Sequence, residues 1–80
     1  MSKILFFSGK FCGPCRAIKS QMSEDFIKEN NIEIVDIEEN VSLTVHFKVM
    51  NVPTFVKVDS EGKEVKRHIG SIKLEDLASL

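Results

Sequence analysis

Phe11-Cys12-Gly13-Pro14-Cys15 holds the only two cysteines among the 80 residues of the chain. Two thiols with two residues between them can close a small disulfide ring and reopen it. The first thiol stands where a helix is about to begin, since Pro14 suits a first helical turn, where its missing N–H costs nothing. The unpaired backbone N–H groups of such a start favour a thiolate over a thiol. A low-pKa thiolate with a second thiol beside it is the minimum equipment for thiol–disulfide exchange. Two structural thiols, or half of a metal site, are the alternatives for the same residues.

The flanking sequence places this pentapeptide between a strand and a helix. Upstream, Ile4-Leu5-Phe6-Phe7 is continuously apolar, as expected of a strand buried on both faces, and Ser8-Gly9-Lys10 ends it. Downstream, the pattern predicts one helix from Pro14 to Asn30. Cys15, Ile18, Met22, Phe26 and Ile27 form its apolar stripe, while Arg16, Lys19, Glu24 and Lys28 face away. Asn30-Asn31 is its stop, because Asn tolerates the left-handed cap conformation.

Ile32, Ile34, Val35 and Ile37 mark a second strand. Asn40 is expected to cap a short helix over Val41 to Lys48, with Val41, Val45 and Val49 as its apolar edge. After the loop Met50-Asn51-Val52-Pro53, Thr54 to Val58 reads as a third strand. Asp59-Ser60-Glu61-Gly62 reads as a turn and Lys63 to Ile69 as a fourth strand of alternating polarity. Gly70 breaks it, and Ser71 is expected to cap a final helix holding Ile72, Leu74, Leu77 and Leu80. The order βαβαββα is that of an α/β fold. A helix between strands one and two implies a right-handed parallel crossover, and the hairpin at Gly62 an antiparallel pair. Together they predict a four-stranded mixed sheet flanked by helices.

The bulk numbers agree. Eighty residues predict a single domain, 1–80, able to bury roughly 60% of the surface of its unfolded chain. The chain is 42% hydrophobic and 29% charged, ordinary for a globular protein. Eleven basic residues stand against 12 acidic ones, spread along the chain, which gives no reason to invoke nucleic acid or an anionic membrane. No apolar run approaches a bilayer-spanning length, and the short one at the N-terminus lacks a cleavage site, so a cytoplasmic location is expected. In a reducing compartment a cysteine pair is reactive or metal-binding more often than it is a staple.

At this point the chain resembles the thioredoxin family. The motif Phe11-Cys12-Gly13-Pro14-Cys15 is similar to the family's signature, with Phe11 where Trp is usual. Val52-Pro53-Thr54 stands at the place of its cis-proline loop and Gly70 at that of its glycine beside the active site. The resemblance covers nearly the whole chain and implies a thioredoxin-like fold lacking the usual N-terminal strand and helix. That shortened form is similar to glutaredoxins and to small thioredoxins of phages and archaea. Two further departures concern a buried Asp, whose position is taken by Phe6, and the buried Lys usually paired with it, whose matching position is read as Ile34. Losing both members of a buried ion pair together can be neutral for stability, whereas losing one strands a charge.

The resemblance also implies roles. Cys12 is the expected nucleophile, its pKa below the ~8.5 of a free thiol, and Cys15 the resolving thiol. Gly13 and Pro14 set the character of the ring. Val52 would offer its backbone to an extended substrate segment, with Pro53 and Gly70 beside it. Phe11 is expected either as an exposed apolar contact for partners or as core. Lys10 and Arg16 flank the cysteines, as thiolate-stabilising charges or as solvated surface. His46 and His68 complete a Cys-x₂-Cys…His…His order, but 30 and 21 residues intervene, unlike a zinc finger, and no metal is expected. The implied activity is the reduction of protein disulfides by a monomer with no bound cofactor. The redox-active disulfide would be recharged with electrons from an NADPH-linked thioredoxin reductase. The alternatives are a glutaredoxin-like enzyme recharged by glutathione and a module that binds partners without redox turnover.

Overall fold

A computed structural model describes residues 1–80. Its elements are β1 (Lys3–Ser8), α1 (Gly13–Gln21), α2 (Glu24–Glu29), β2 (Ile32–Asp36), α3 (Val41–His46), β3 (Thr54–Val58), β4 (Glu64–Ile69) and α4 (Leu74–Ala78). The sheet order is β2-β1-β3-β4. β1 runs parallel to β2, with Phe6 opposite Ile34, and antiparallel to β3, with Phe6 opposite Phe55. β3 and β4 are antiparallel, with a register shift at Lys57/Val58. The mixed four-stranded sheet expected from the sequence is therefore present, with β1 and β3 at its centre.

Period-2 alternation along the central strands sorts the core into two layers. Ile4 and Phe6 of β1 and Phe55 of β3 point to one face, where Cys15, Ile18, Met22, Ile32 and Leu77 complete a buried cluster. Phe26, Ile27, Ile72, Leu74 and Leu80 pack against it, so α1, α2 and α4 all cover this face. Leu5 and Phe7 of β1 and Val56 and Val58 of β3 point to the other, with Val35 and Phe47. Leu43 and Val49 close that second layer.

Local chemistry revises several boundaries. The helix expected over Pro14–Asn30 is two helices. Met22 leaves α1 in an extended conformation, and Ser23 starts α2 by accepting a hydrogen bond from the Phe26 amide at 3.0 Å. Glu24 and Asp25 add favourable charge to that first turn. The apolar stripe survives the break because both helices lie on the same cluster. Asn30 caps α2 and Asn31 takes φ 51°, the left-handed stop read from the sequence.

Asn40 precedes α3 but makes no side-chain cap; its Nδ2 donates instead to the Asp36 carbonyl at 3.0 Å. Nor do Val41 and Val45 form the buried edge of α3. Both are exposed, and the helix buries through Leu43 and Phe47. α3 ends at His46, and Lys48 follows with φ 53°. The last helix starts after Lys73 rather than Ser71. Ile34, read as a buried position, is 41% exposed because β2 is an edge strand; Ile32, two residues earlier on the same face, shares the buried cluster with Phe6.

Candidate functional site

The site hangs from the end of β1. After Ser8, Gly9 lets the chain turn tightly: its carbonyl accepts from the Cys12 amide at 3.3 Å. A Cβ at Gly9 would lie 3.5 Å from Val52 Cγ2 and 3.9 Å from Cys12 Cβ, so the β1–α1 loop and the loop before β3 meet at this residue. Sequence reading treated Gly9 only as a strand breaker. No spacing rule signals that contact, which joins segments more than 40 residues apart.

Cys12 is the N-cap of α1, in extended conformation, with Pro14 in the first turn. Its carbonyl accepts from the Arg16 amide at 3.1 Å, and its Sγ accepts from the Cys15 amide at 3.2 Å. A cap oxygen usually takes that amide; here a sulfur does, so the helix start donates directly to the atom that would carry the thiolate charge. No acidic residue stands in the first turn of α1 to oppose that charge. Cys12 and Cys15 are joined as a disulfide, with Cα atoms 5.2 Å apart. Their exposures differ. Cys12 is half-buried, whereas Cys15 is wholly enclosed among Phe6, Ile18 and the rest of the first cluster.

The Val52–Pro53 peptide bond is cis. Val52 is half-buried against both core layers and Pro53 is buried. Gly70, at φ 100° in the left-handed region that favours glycine, donates its amide to the Pro53 carbonyl at 2.8 Å. The structure thus gathers Cys12, Gly13, Pro14, Cys15, Val52, Pro53 and Gly70 at one end of the sheet. Phe11 is 94% exposed, which settles its two readings against core packing. Met50 and Ile69, each within two residues of the Val52–Pro53 and Gly70 segments, are exposed apolar side chains that the sequence reading passed over. Neither surface depression of the molecule is lined by a cysteine.

The charges nearby are committed. Lys10 Nζ lies 3.4 Å from Glu39 Oε2. The hydrogen bond and charge of Glu39, with Asp36 and Glu38 behind it, raise the Lys10 pKa. Its charge is thus directed to that acidic turn, which Asp36 organises by accepting from the Glu38 and Glu39 amides at 2.8 and 3.2 Å. The Phe6 ring is wholly buried against Phe55. His46 packs edge-on to Phe47, and His68 Nε2 lies 2.9 Å from the Ser71 carbonyl. No three metal-ligating side chains come together anywhere in the molecule. No helix is long and apolar enough to cross a membrane.

Comparison with known proteins agrees with this geometry. The family model "Thioredoxin" matches residues 2–80. Thioredoxin H2 of Arabidopsis thaliana is 38% identical over 90% of this chain and 55% of its own length. The thioredoxin of Staphylococcus saprophyticus is 34% identical over 92% of this chain and 73% of its own. Among solved structures, Fasciola hepatica thioredoxin superimposes with a TM-score of 0.79 at 32% identity, over 98% of this chain and 78% of the other. The chain therefore belongs to the thioredoxin family of thiol–disulfide oxidoreductases.

Proposed function

We propose that the protein reduces disulfide bonds in other proteins, with Cys12 as nucleophile and Cys15 as resolving thiol. In the reduced state the Cys12 thiolate attacks one sulfur of a client disulfide. The client S–S bond breaks, a mixed disulfide forms, and the displaced client sulfur takes up a proton. Cys15 then loses its proton and attacks Cys12 Sγ. The Cys12–client bond breaks, the second client sulfur leaves as a thiol, and the Cys12–Cys15 disulfide is restored. Two electrons and two protons from an NADPH-linked reductase reopen it.

The observation that carries this reading is the asymmetry of the pair. Cys12 is reachable and has an amide aimed at its sulfur, while Cys15 is enclosed and can attack only what Cys12 has already bound. Val52 supports it from the opposite side: its loop meets Gly9 beside Cys12, where a strand-like client segment would lie. Phe11 offers that client an apolar contact.

Insulin reduction tests the proposal. With NADPH and a thioredoxin reductase the protein should turn over, and Cys12→Ser should abolish turnover. Cys15→Ser should trap the mixed disulfide. Turnover with glutathione and glutathione reductase alone would assign the glutaredoxin-like role instead. A doubly substituted protein that keeps full biological function would make it a binding module.

A further inference from the structure

Met50 is 86% exposed, yet the backbone that carries it is pinned on both sides. The Val49 amide donates to the Thr44 carbonyl at 3.0 Å, and the Val49 side chain packs on the second core layer. On the other side the Asn51 carbonyl accepts from Thr54 Oγ1 at 2.6 Å, and Val52 packs on both layers. A long apolar side chain is thus held out into water from a fixed stretch of chain, and it joins neither core cluster.

Its place in the fold gives that exposure a use. Two residues span at most about 7 Å, so Met50 stands beside Val52. A Cβ on Gly9 would lie 3.5 Å from Val52 Cγ2 and 3.9 Å from Cys12 Cβ, so the loop that Met50 enters borders the reactive cysteine. Phe11, next to Cys12, and Ile69, next to Gly70, are exposed as well. Three segments distant in sequence therefore present apolar side chains at the dithiol end of the sheet. Of the three, Met50 alone carries a sulfur that can be oxidised. The chain has three methionines, and Met22 is enclosed in the first cluster.

We infer that Met50 is an oxidative modification site, and that its sulfoxide weakens the docking of protein disulfides while leaving the dithiol chemistry intact. The oxidant is a hydroperoxide. The Met50 sulfur attacks it, one oxygen passes to sulfur, the O–O bond breaks, and water or an alcohol leaves. The sulfur is oxidised by two electrons and the peroxide is reduced by two. An adaptable apolar contact becomes a polar one that holds water, and a client covering it must strip that water away. The N-cap position of Cys12 and the Cys15 amide on its sulfur do not involve Met50 and persist. The inference rests on the reductase reading above and gives its client surface a control.

Peroxide treatment of the disulfide form tests it, because joined cysteines offer no thiol to oxidise. Peptide mass mapping should find sulfoxide at Met50 and Met1, which is 98% exposed, long before Met22 at 9%. The protein is then reduced with dithiothreitol and mixed with insulin or with a small aromatic disulfide that needs no docking surface. The second-order rate with insulin should fall about fivefold, and the rate with the small disulfide should stay the same. Met50→Leu keeps Met1 and Met22 and should react with insulin equally fast before and after peroxide. An insulin rate untouched by complete oxidation of Met50 would overturn the inference. So would an equal fall with both disulfides, or a fall in Met50→Leu as large as in the parent, since either places the damage elsewhere. Oxidation of Met50 no faster than Met22 would overturn it too. An untreated parent that reduces neither disulfide would instead sink the reductase reading itself.

Discussion

Phe6 lies over Phe55 with ring centroids 4.5 Å apart and 28° between the planes, inside the cluster that encloses Cys15. The stack makes the surroundings of Cys15 apolar. Phe6→Asp should therefore destabilise the protein by about 3–5 kcal/mol in denaturant titration, since it buries a carboxylate without a partner. Adding Ile32→Lys should recover part of that loss, because Ile32 shares the cluster. Adding Ile34→Lys should recover little, because Ile34 faces solvent at the sheet edge.

Alkylation should separate the two cysteines. In the reduced protein at neutral pH, Cys12 is expected to react with iodoacetamide far faster than Cys15, which is wholly buried. Peptide mapping after a short pulse measures the ratio. Equal, slow labelling of both would contradict the assigned roles.

The break between α1 and α2 depends on one hydroxyl. Ser23→Ala removes the oxygen that accepts from the Phe26 amide, at a cost of about 0.5–2 kcal/mol. The expected signature is a lower unfolding midpoint with an unchanged rate of insulin reduction, since Ser23 lies far along the chain from the dithiol.

Arg67 and Glu64 tie β4 to the end of α3. Arg67 donates from Nε and Nη2 to the Glu64 carboxylate at 2.7 and 2.6 Å, and from Nη2 to the Phe47 carbonyl at 2.6 Å. The hydrogen bond from Arg67 holds the Glu64 pKa below its ordinary 4.5. A lowered folded-state pKa stabilises above the unfolded value and ceases to do so as pH falls through the folded one. Parent and Glu64→Gln should thus differ by at most about 1 kcal/mol at pH 7, as expected for a solvent-screened surface pair. That gap should close as the pH is taken well below 4.5. Arg67→Met should cost more than Glu64→Gln, because it also deprives the Phe47 carbonyl of its donor.

Much of this was legible in the sequence for identifiable reasons. The continuous apolar run Ile4–Phe7 announced a strand covered on both faces, and β1 is that strand. The Cys12–Cys15 spacing with Pro14 between announced the helix start, and Cys12 is its cap. What stayed hidden depends on partners distant in sequence. Val41 and Val45 carry helical spacing, yet Phe47 wins the burial because it reaches Phe7 across the second layer. Ser23 could have been recognised as a cap from the two acids that follow it, but the apolar stripe running past it masked the stop. The proximity of Gly9 to Val52 leaves no trace in periodicity at all.

The hydrogen bond from Gly70 to Pro53 has a mechanical consequence. It clips the segment leaving β4 onto the segment entering β3, so both loops are anchored to the same pair of strands. The cysteine turn hangs from the neighbouring strand β1 and touches this pair of loops where Gly9 meets Val52. Breaking and remaking the sulfur bond on the β1 side then leaves the Gly70–Pro53 clasp intact. Under the proposed function, a guest chain would meet the same clasped pair of loops before and after it surrendered its own crosslink.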